Sequence, residues 1–344
     1  MSTASPVPET YQLDGERALA TMRHAKVSLL ARDAGARLRW ADGFSHSRAM
    51  AFQIVLTLIP GAIVVVALAS ELRWDGLTAS IINLSHSFAP GQAGELFDSA
   101  FGQGSKVGQA SSGVAALVFG GLAFVIAGTT AYGQIERTAN RIYGVEADRP
   151  TLRKYGLALA MMLTSGILTV AGLATISLGE RWGRDWNRFS VDDIWGVARW
   201  PIGLGFLTLA IALIFKLSPR RRQPNVAWLA VGAGISVAGI LVVSLALHFY
   251  LHASKGFGDT YGPLAGVIGV LLWAYLSSIV MFYGLAFAAQ LEAFRAGAAE
   301  PRSVAKVRQS DPSSHPTPLP DDDVANAPDV ALAGRVDGRV TTPV

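Results

Sequence analysis

The residues best suited to chemistry in this sequence are its histidines, and their spacing gives little support for catalysis. There are six histidines and no cysteine, which excludes disulfides and thiol chemistry. His248 and His252 are four residues apart and would share one helical face, as a zinc pair requires. No further ligand follows at metal-binding spacing, and Asp259 is the only acid in that loop. We therefore predict no enzyme activity, no metal and no cofactor.

A charged cluster after the second apolar stretch is the strongest candidate site. It contains Gln134, Glu136, Arg137, Asn140 and Arg141. Arg137 and Arg141 lie one helical turn apart, so each can pair with Glu136, with Glu292 near the end of the last stretch, or with a phosphate group. The alternative is that these residues only anchor the helix at head-group depth.

Uncharged polar groups inside the apolar stretches form the second candidate site. Gln53 and Pro60 lie in the first stretch, and Trp273 and Tyr275 lie in the last. Pro60 removes one backbone hydrogen bond and can expose a carbonyl group. Charged residues do not occur near the middle of any stretch. This pattern favours a neutral or amphiphilic substrate over a pump built on a buried carboxylate, or else a bundle whose polar groups only join helices.

The elements that must position these residues are six apolar stretches of membrane-spanning length. At a rise of 1.5 Å per residue, roughly 20 residues cross the ~30 Å hydrocarbon core. Charged residues make up only 16% of the chain, against about 25% in soluble proteins. We predict an all-α polytopic membrane protein with spans at 49–70, 113–134, 155–179, 200–217, 226–250 and 263–291.

Glycine is abundant, with 36 residues, as is common where transmembrane helices pack closely. Ala230 and Gly234 form a small-xxx-small pair in the fifth predicted span. We interpret this pair as a packing surface between helices.

The distribution of Lys and Arg predicts the orientation of the spans. Alternate segments carry 22 basic residues on one side and 7 on the other. By the positive-inside rule both termini are cytoplasmic, and the short loop with Arg220, Arg221 and Arg222 is on the same side. This topology also accounts for the net charge of +4 without a nucleic-acid partner.

Four further segments complete the predicted organisation. Residues 71–112 are predicted to hold two short helices on the outer face. Residues 24–41 place Val27, Leu30, Ala31, Ala34 and Leu38 on one face and the basic residues, including Arg37, mostly elsewhere. This predicts an interfacial helix or, as the alternative, a helix packed under the bundle. We predict a flexible tail at 1–23 and a disordered cytoplasmic tail at 297–344.

Separate motifs in this sequence match those of one known family. The first span contains AMAFQIVLTLIPG, with Phe52 and Pro60, and the second is followed by QIERTANRIYGV. The last third reads TYGPLAGVIGVLLWAYLSSIVMFYGLAFAAQLEAF and supplies Tyr261, Gly262, Pro263, Trp273, Tyr275, Gly284 and Glu292. Over about residues 24–296 the chain resembles the YihY/BrkB family of bacterial inner-membrane proteins, also labelled ribonuclease BN-like. Many members have an acid two residues after the glycine matched by Gly284, where this chain has Ala286.

The resemblance implies a six-span bundle in the bacterial inner membrane with both termini cytoplasmic. The ribonuclease label is not supported by the residues, because a metal-dependent nuclease needs clustered His and Asp ligands. Family and topology together favour a transporter or flippase-like protein that moves a lipid or other amphiphilic envelope component. The alternative is a non-transporting scaffold in envelope maintenance, and a membrane-bound ribonuclease is the least favoured hypothesis. The expected partners are membrane lipids and an amphiphilic substrate, with no nucleic acid.

Overall fold

The computed structural model describes residues 4–10, 13–71, 113–184, 191–253, 264–298 and 300–303. These residues form eight α-helices and, within the described ranges, no β-strand. Two short helices come first, and six long ones follow. They are α1 (Gly15–His24), α2 (Val27–Trp40), α3 (Gly43–Glu71), α4 (Gly113–Ile142), α5 (Thr151–Arg184), α6 (Val191–Leu217), α7 (Val226–Ala253) and α8 (Leu264–Arg295).

The six long helices are each long and apolar enough to cross a membrane, which confirms the predicted fold class. Each helix from α3 to α8 packs against the next one in the chain, and α8 packs back against α3. The helices therefore form a closed ring in chain order. α8 also contacts α2 and α4, and half of its most apolar window is buried, against a third or less in the other spans.

The backbones of α7 and α8 cross at a pair of glycines. A Cβ atom on Gly232 would collide with the backbone oxygen of Gly284 and lie 2.9 Å from the Cβ of Ala288. A Cβ atom on Gly284 would collide with Gly232 and Ser236. The absence of side chains at both positions thus sets how closely the helices approach.

The second tight crossing joins α5 to α6. A Cβ atom on Gly172 would lie 2.9 Å from the backbone oxygen of Gly203, and one on Gly203 would lie 2.8 Å from that of Gly172. The prediction that small residues provide packing surfaces is therefore confirmed, but the position predicted in α7 was wrong. Gly234 has no atom within 4 Å of its Cβ position, so the contact is made by Gly232 instead.

The predicted spans all correspond to helices, but most of the helices extend beyond them. The fourth span, predicted at 200–217, belongs to a helix that already begins at Val191. α4 continues from the predicted end at residue 134 to Ile142, so the polar cluster is helical. The predicted limits follow the apolar residues alone, so they leave out the polar turns at the ends of these helices.

Two predictions about the termini were wrong for the described residues. The predicted flexible tail at 1–23 contains α1, whose N-cap Asp14 accepts a hydrogen bond from the Arg17 backbone N–H, 3.0 Å away. The predicted disordered tail at 297–344 begins with ordered residues, since Arg302 pairs with Ala4 in an antiparallel bridge. The outer helices predicted at 71–112 and the tail beyond Ser303 lie outside the described residues, apart from Glu71.

The helix predicted at 24–41 corresponds to α2, which packs against the bundle. Leu30, Ala34 and Leu38 are buried as predicted, and Tyr283 of α8 donates a hydrogen bond to the Ala31 carbonyl oxygen at 3.0 Å. The placement of Arg37 away from the buried face was wrong, because its side chain is fully buried. Hydrogen bonding to partners far away in sequence, described below, explains why a charged group is tolerated there.

The glycine crossing generates a prediction about stability. Gly232→Ala should destabilise the protein by about 1–3 kcal/mol, because the added methyl group meets backbone and cannot be accommodated by a rotamer change. The matched control is Gly234→Ala in the same helix, which should be neutral or slightly stabilising because its Cβ position is open. Unfolding in detergent measures both variants, and equal loss of stability would contradict the assignment of the crossing to Gly232.

Candidate functional site at the capped end of the bundle

One end of the bundle is covered by additional structure, and we call it the capped end. It comprises α1, α2, the loops at 143–150 and 218–225, and the segments at 4–10 and 296–303. The main buried apolar cluster of the described residues lies at this end: it includes Leu30, Tyr143, Phe215 and Trp228 together with the run from Leu285 to Ala289. The capped end is therefore closely packed.

Residues 4–10 cross the capped end as an extended segment, which we call the strap. Its backbone is held by hydrogen bonds from Ser5 N–H to the Pro301 oxygen at 3.1 Å and from Val7 N–H to the Tyr143 oxygen at 3.2 Å. Gly144 lies beneath it with a φ of +72°, and a Cβ atom there would be 2.8 Å from the Pro6 backbone. Glycine is required at this position both for the left-handed turn that ends α4 and for the passage of the strap.

A fully buried carboxylate holds the strap to the end of α8. Arg221 forms an ion pair with Glu292, with Nη2 2.7 Å from Oε1 and Nη1 3.2 Å from Oε2. The Thr10 hydroxyl donates to Glu292 Oε1 at 2.5 Å, and the Thr10 N–H donates to the same atom at 3.2 Å. Arg221 Nη2 also donates to the Pro8 carbonyl oxygen at 3.0 Å. The carboxylate thus joins α8, the 218–225 loop and the strap through charge-assisted hydrogen bonds.

Tyr143 extends this network. The guanidinium carbon of Arg221 lies 4.6 Å from the centre of the Tyr143 ring, a cation–π distance. Burial raises the pKa of Tyr143, and the charge of Glu292 raises it further, whereas Arg221 and Arg37 act in the opposite direction. The phenol is therefore neutral at physiological pH and contributes an uncharged surface to the cation.

Arg37 is the second arginine at the strap. Its Nε donates to Gln290 Oε1 at 2.8 Å, and its Nη1 donates to the carbonyl oxygens of Ser5 at 2.8 Å and Ile142 at 3.3 Å. All of these acceptors are neutral, and Nη2 is buried without a hydrogen-bond partner among the described residues. Burial lowers the pKa of Arg37 to about 10, so the group remains charged at neutral pH.

A second ion pair joins α4 to the end of α6. Glu136 is fully buried, and Arg149 Nη1 lies 3.1 Å from its Oε1. Arg149 also donates to the carbonyl oxygens of Leu217, Ser218 and Pro219 at 3.3, 2.7 and 2.8 Å. A cation at these carbonyl groups is favoured by the negative end of the helix dipole. The pair therefore fixes α4 against the C-terminus of α6.

The predicted polar cluster is real, but the predicted ion pairs were wrong. Glu136 and Glu292 pair with Arg149 and Arg221, not with Arg137 or Arg141. Arg137 is exposed. Helical spacing shows that Arg137 and Arg141 lie near each other, but the arginines that pair with Glu136 and Glu292 are in loops.

The two amides of the predicted cluster join neighbouring elements. Asn140 Oδ1 accepts a hydrogen bond from the Arg220 backbone N–H at 2.7 Å, and its Nδ2 donates to Asp148 Oδ1 at 3.2 Å. Gln134 Nε2 lies 2.8 Å from His46 Nδ1 of α3. Asn140 therefore connects α4 to the loops at 143–150 and 218–225, and Gln134 connects α4 to α3.

The candidate residues at depth that the structure describes lie on α3 and α8, which are neighbours in the ring. Trp273 Nε1 donates to Ser244 Oγ of α7 at 3.0 Å, and Phe52 is 57% exposed. Gln53, Pro60 and Tyr275 are partly buried. Gly284 is at the helix crossing described above, and Tyr261, Gly262 and Pro263 lie outside the described residues. The contact of these residues with a substrate stays a prediction.

Besides Arg37 and Tyr143, sequence reasoning missed three residues of this site that lie outside helices. They are Thr10, Arg149 and Arg221, which lie in a tail or in loops. A signal was available for Arg221: the basic run at 220–222 was assigned to orientation alone, although the nearby Glu292 needed a cation. For Thr10 and Arg149 the sequence contains no comparable signal.

The fold and the capped end define a six-span helical membrane protein, and comparison with known proteins identifies its family. Residues 34–309 match the model of the family described as Virulence factor BrkB. The chain belongs to this family. Solved structures give no match.

Curated relatives include a ribonuclease-like protein and several membrane proteins. The chain is 25% identical over 255 residues to the ribonuclease-like protein YfkH of Bacillus subtilis, covering 71% of this chain and 88% of that relative. It is 25% identical over 261 residues to a UPF0761 membrane protein of Stenotrophomonas maltophilia, and 26% identical over 263 residues to one of Xanthomonas campestris. Each match covers 73% of this chain but only 58% of the UPF0761 relative.

The Glu292–Arg221 pair generates a second prediction. Glu292→Gln should destabilise the protein by about 3–5 kcal/mol, because Arg221 would remain buried without its counter-charge. Arg17→Gln is the control: Arg17 lies 4.0 Å from Asp14 at the surface, and its loss should cost less than about 1 kcal/mol. Chemical unfolding in detergent measures both, and a Glu292→Gln variant as stable as the control would show that the buried pair contributes little.

Proposed function

We propose that this protein is a transporter or flippase-like protein for a lipid or other amphiphilic component of the cell envelope. The observation that carries the proposal is the close packing of the bundle at its capped end. The main buried cluster of the described residues lies at the capped end, where ion pairs and the strap join the helices. A bundle closed firmly at one end is the arrangement expected for one state of an alternating-access protein.

The polar groups at depth support an amphiphilic substrate. Trp273, Ser244 and Gln53 are uncharged, and a path lined by such groups suits a molecule with an apolar portion and a polar one. Because an unpaired charge in the hydrocarbon core is costly, a charged portion of the substrate would need ionic partners near the membrane surface. Such partners are available at the capped end.

The proposed orientation places the capped end in the cytoplasm of a bacterium, with the protein in the inner membrane. The excess of Lys and Arg in the segments at this end supports it. The strap would then close the cytoplasmic side.

Nuclease activity is not part of this proposal. Within the described ranges, no group of three or more His, Asp or Glu side chains is arranged to hold a metal ion. The two buried carboxylates, Glu136 and Glu292, are each occupied by an arginine. They are better explained as structural groups of the capped end than as ligands of a catalytic metal.

A scaffold role for the C-terminal tail is the second candidate function. A truncation of the tail distinguishes it from transport, and the structure indicates where that truncation should begin. Residues 300–303 contact the strap, so a truncation must begin after Ser303 to leave the capped end intact. Removing 304–344 should leave transport unchanged if the membrane domain is the active part. Loss of cellular function with intact transport would favour the scaffold.

The direct test is movement of labelled molecules by the purified full chain in vesicles. Fluorescent short-chain lipids and amphiphilic solutes should cross faster with the protein than in protein-free vesicles. The absence of movement in either direction across a broad panel would contradict the proposal.

Closing the capped end permanently should stop that movement. Ala4 and Arg302 face each other in an antiparallel bridge, where Cα atoms are roughly 4.5–5.5 Å apart, within the range for a disulfide. Because the chain has no cysteine, Ala4→Cys with Arg302→Cys introduces a single pair. Oxidation should reduce transport at least tenfold and reduction should restore it, with Ala4→Cys alone as the control. Unchanged transport by the disulfide-bonded protein would show that the strap need not open.

A further inference from the structure

The buried charges at the strap do not balance. The side chains of Arg37 and Arg221 are both buried, and among the residues that the structure describes only Arg221 of the two pairs with a carboxylate, that of Glu292. Every hydrogen bond that Arg37 donates within the described part of the chain goes to a neutral oxygen. The group of three side chains thus has a net charge of +1 in a low-dielectric environment. An uncompensated buried charge costs free energy, and such charges are often found at functional sites.

Both arginines use the strap as an acceptor. Arg37 Nη1 donates to the Ser5 carbonyl oxygen at 2.8 Å, and Arg221 Nη2 donates to the Pro8 carbonyl oxygen at 3.0 Å. Arg37 Nη2 and Arg221 Nε are buried and have no hydrogen-bond partner among the residues described. The strap therefore provides acceptors for only some of the N–H donors of the two arginines, and these acceptors are neutral carbonyl oxygens.

We propose that Arg37 and Arg221 form a binding site for a phosphate group of an amphiphilic substrate, and that the strap covers this site until the substrate displaces it. The Ser5 and Pro8 carbonyl oxygens each accept a hydrogen bond from a guanidinium N–H that becomes available to a phosphate group once the strap is displaced. Planar guanidinium groups are suited to phosphate because each presents paired N–H donors. A phosphate monoanion also neutralises the excess charge, which the neutral carbonyl groups of Ser5 and Pro8 do not do.

The remaining contacts explain how the site opens and closes. Thr10 holds the far end of the strap through Glu292, so displacement of the strap leaves Glu292 paired with Arg221 alone. The guanidinium group of Arg221 stacks on the ring of Tyr143. The strap passes over the next residue, Gly144. The arginines themselves are held by α2 and the 218–225 loop, so they stay in place when the strap moves.

The site deepens the proposed function, on which it rests for the nature of the substrate, but binding tests it separately from transport. Full-length protein in detergent is titrated with dihexanoyl phosphatidic acid, with inorganic phosphate and with uncharged dihexanoylglycerol. Phosphatidic acid should bind, and dihexanoylglycerol should bind at least tenfold more weakly. Tighter binding of phosphatidic acid than of inorganic phosphate identifies a lipid head group as the source of the phosphate, whereas equal affinity identifies free phosphate.

Variants of the strap should change affinity in opposite directions. Thr10→Val removes the hydroxyl contact with Glu292 and should tighten binding of phosphatidic acid about tenfold, because less must be broken to displace the strap. The oxidised Ala4→Cys/Arg302→Cys protein should bind at least tenfold more weakly than the same protein after reduction. A role of the strap in stability alone would not make a loosened protein bind more tightly.

Arg37→Gln in the Thr10→Val background should lower the affinity at least tenfold. Arg39→Gln is the control, since Arg39 lies on the same helix but is exposed, with its guanidinium carbon 5.5 Å from the Trp40 ring. If Arg37→Gln fails to fold, the oxidised and reduced strap proteins still decide the matter. Equal affinity of these two proteins, or an Arg39→Gln effect as large as that of Arg37→Gln, would overturn the site. Transport without any phosphate binding would overturn the site while leaving the proposed function standing.

Discussion

The buried Glu292 carboxylate is the interaction on which the capped end depends. A carboxylate removed from water is tolerated only when a cation and hydrogen-bond donors replace its hydration. Here the donors come from Arg221 and Thr10, in segments far apart in the chain. Because Glu292 lies on α8, the helix that contacts most of the others, its partners are fixed relative to the whole bundle. The order of the strap and of the 218–225 loop follows from this requirement.

The membrane-spanning part of the molecule is governed by a different constraint. In hydrocarbon, helices gain little from burying apolar side chains against each other, so close approach and interhelical hydrogen bonds determine their packing. Gly232 and Gly284 allow the closest approach, and the hydrogen bonds from Trp273 to Ser244 and from Tyr283 to the Ala31 carbonyl oxygen join neighbouring helices. The capped end instead uses ion pairs and a conventional apolar core.

The sequence predicted the parts of the fold that depend on local pattern. Apolar length identified six helices, and the face formed by Leu30, Ala34 and Leu38 identified α2. Ion-pair partners could not be derived in the same way, because helical spacing relates Arg137 to Arg141 but contains nothing about the loop that brings Arg221 to Glu292. Residues 4–10 contain two prolines and lack apolar periodicity, so their sequence is typical of a flexible tail. Their order comes from partners elsewhere in the chain, such as Tyr143 and Pro301.

Hydrogen–deuterium exchange of the strap in the purified protein tests the central claim most directly. The backbone N–H groups of Ser5, Val7 and Thr10 each donate a hydrogen bond to the capped end. If the strap closes this end, a peptide covering residues 4–10 should exchange at least a hundredfold more slowly than an unstructured chain. Exchange at the rate of an unstructured chain would show that the strap is not held there, and would contradict the account.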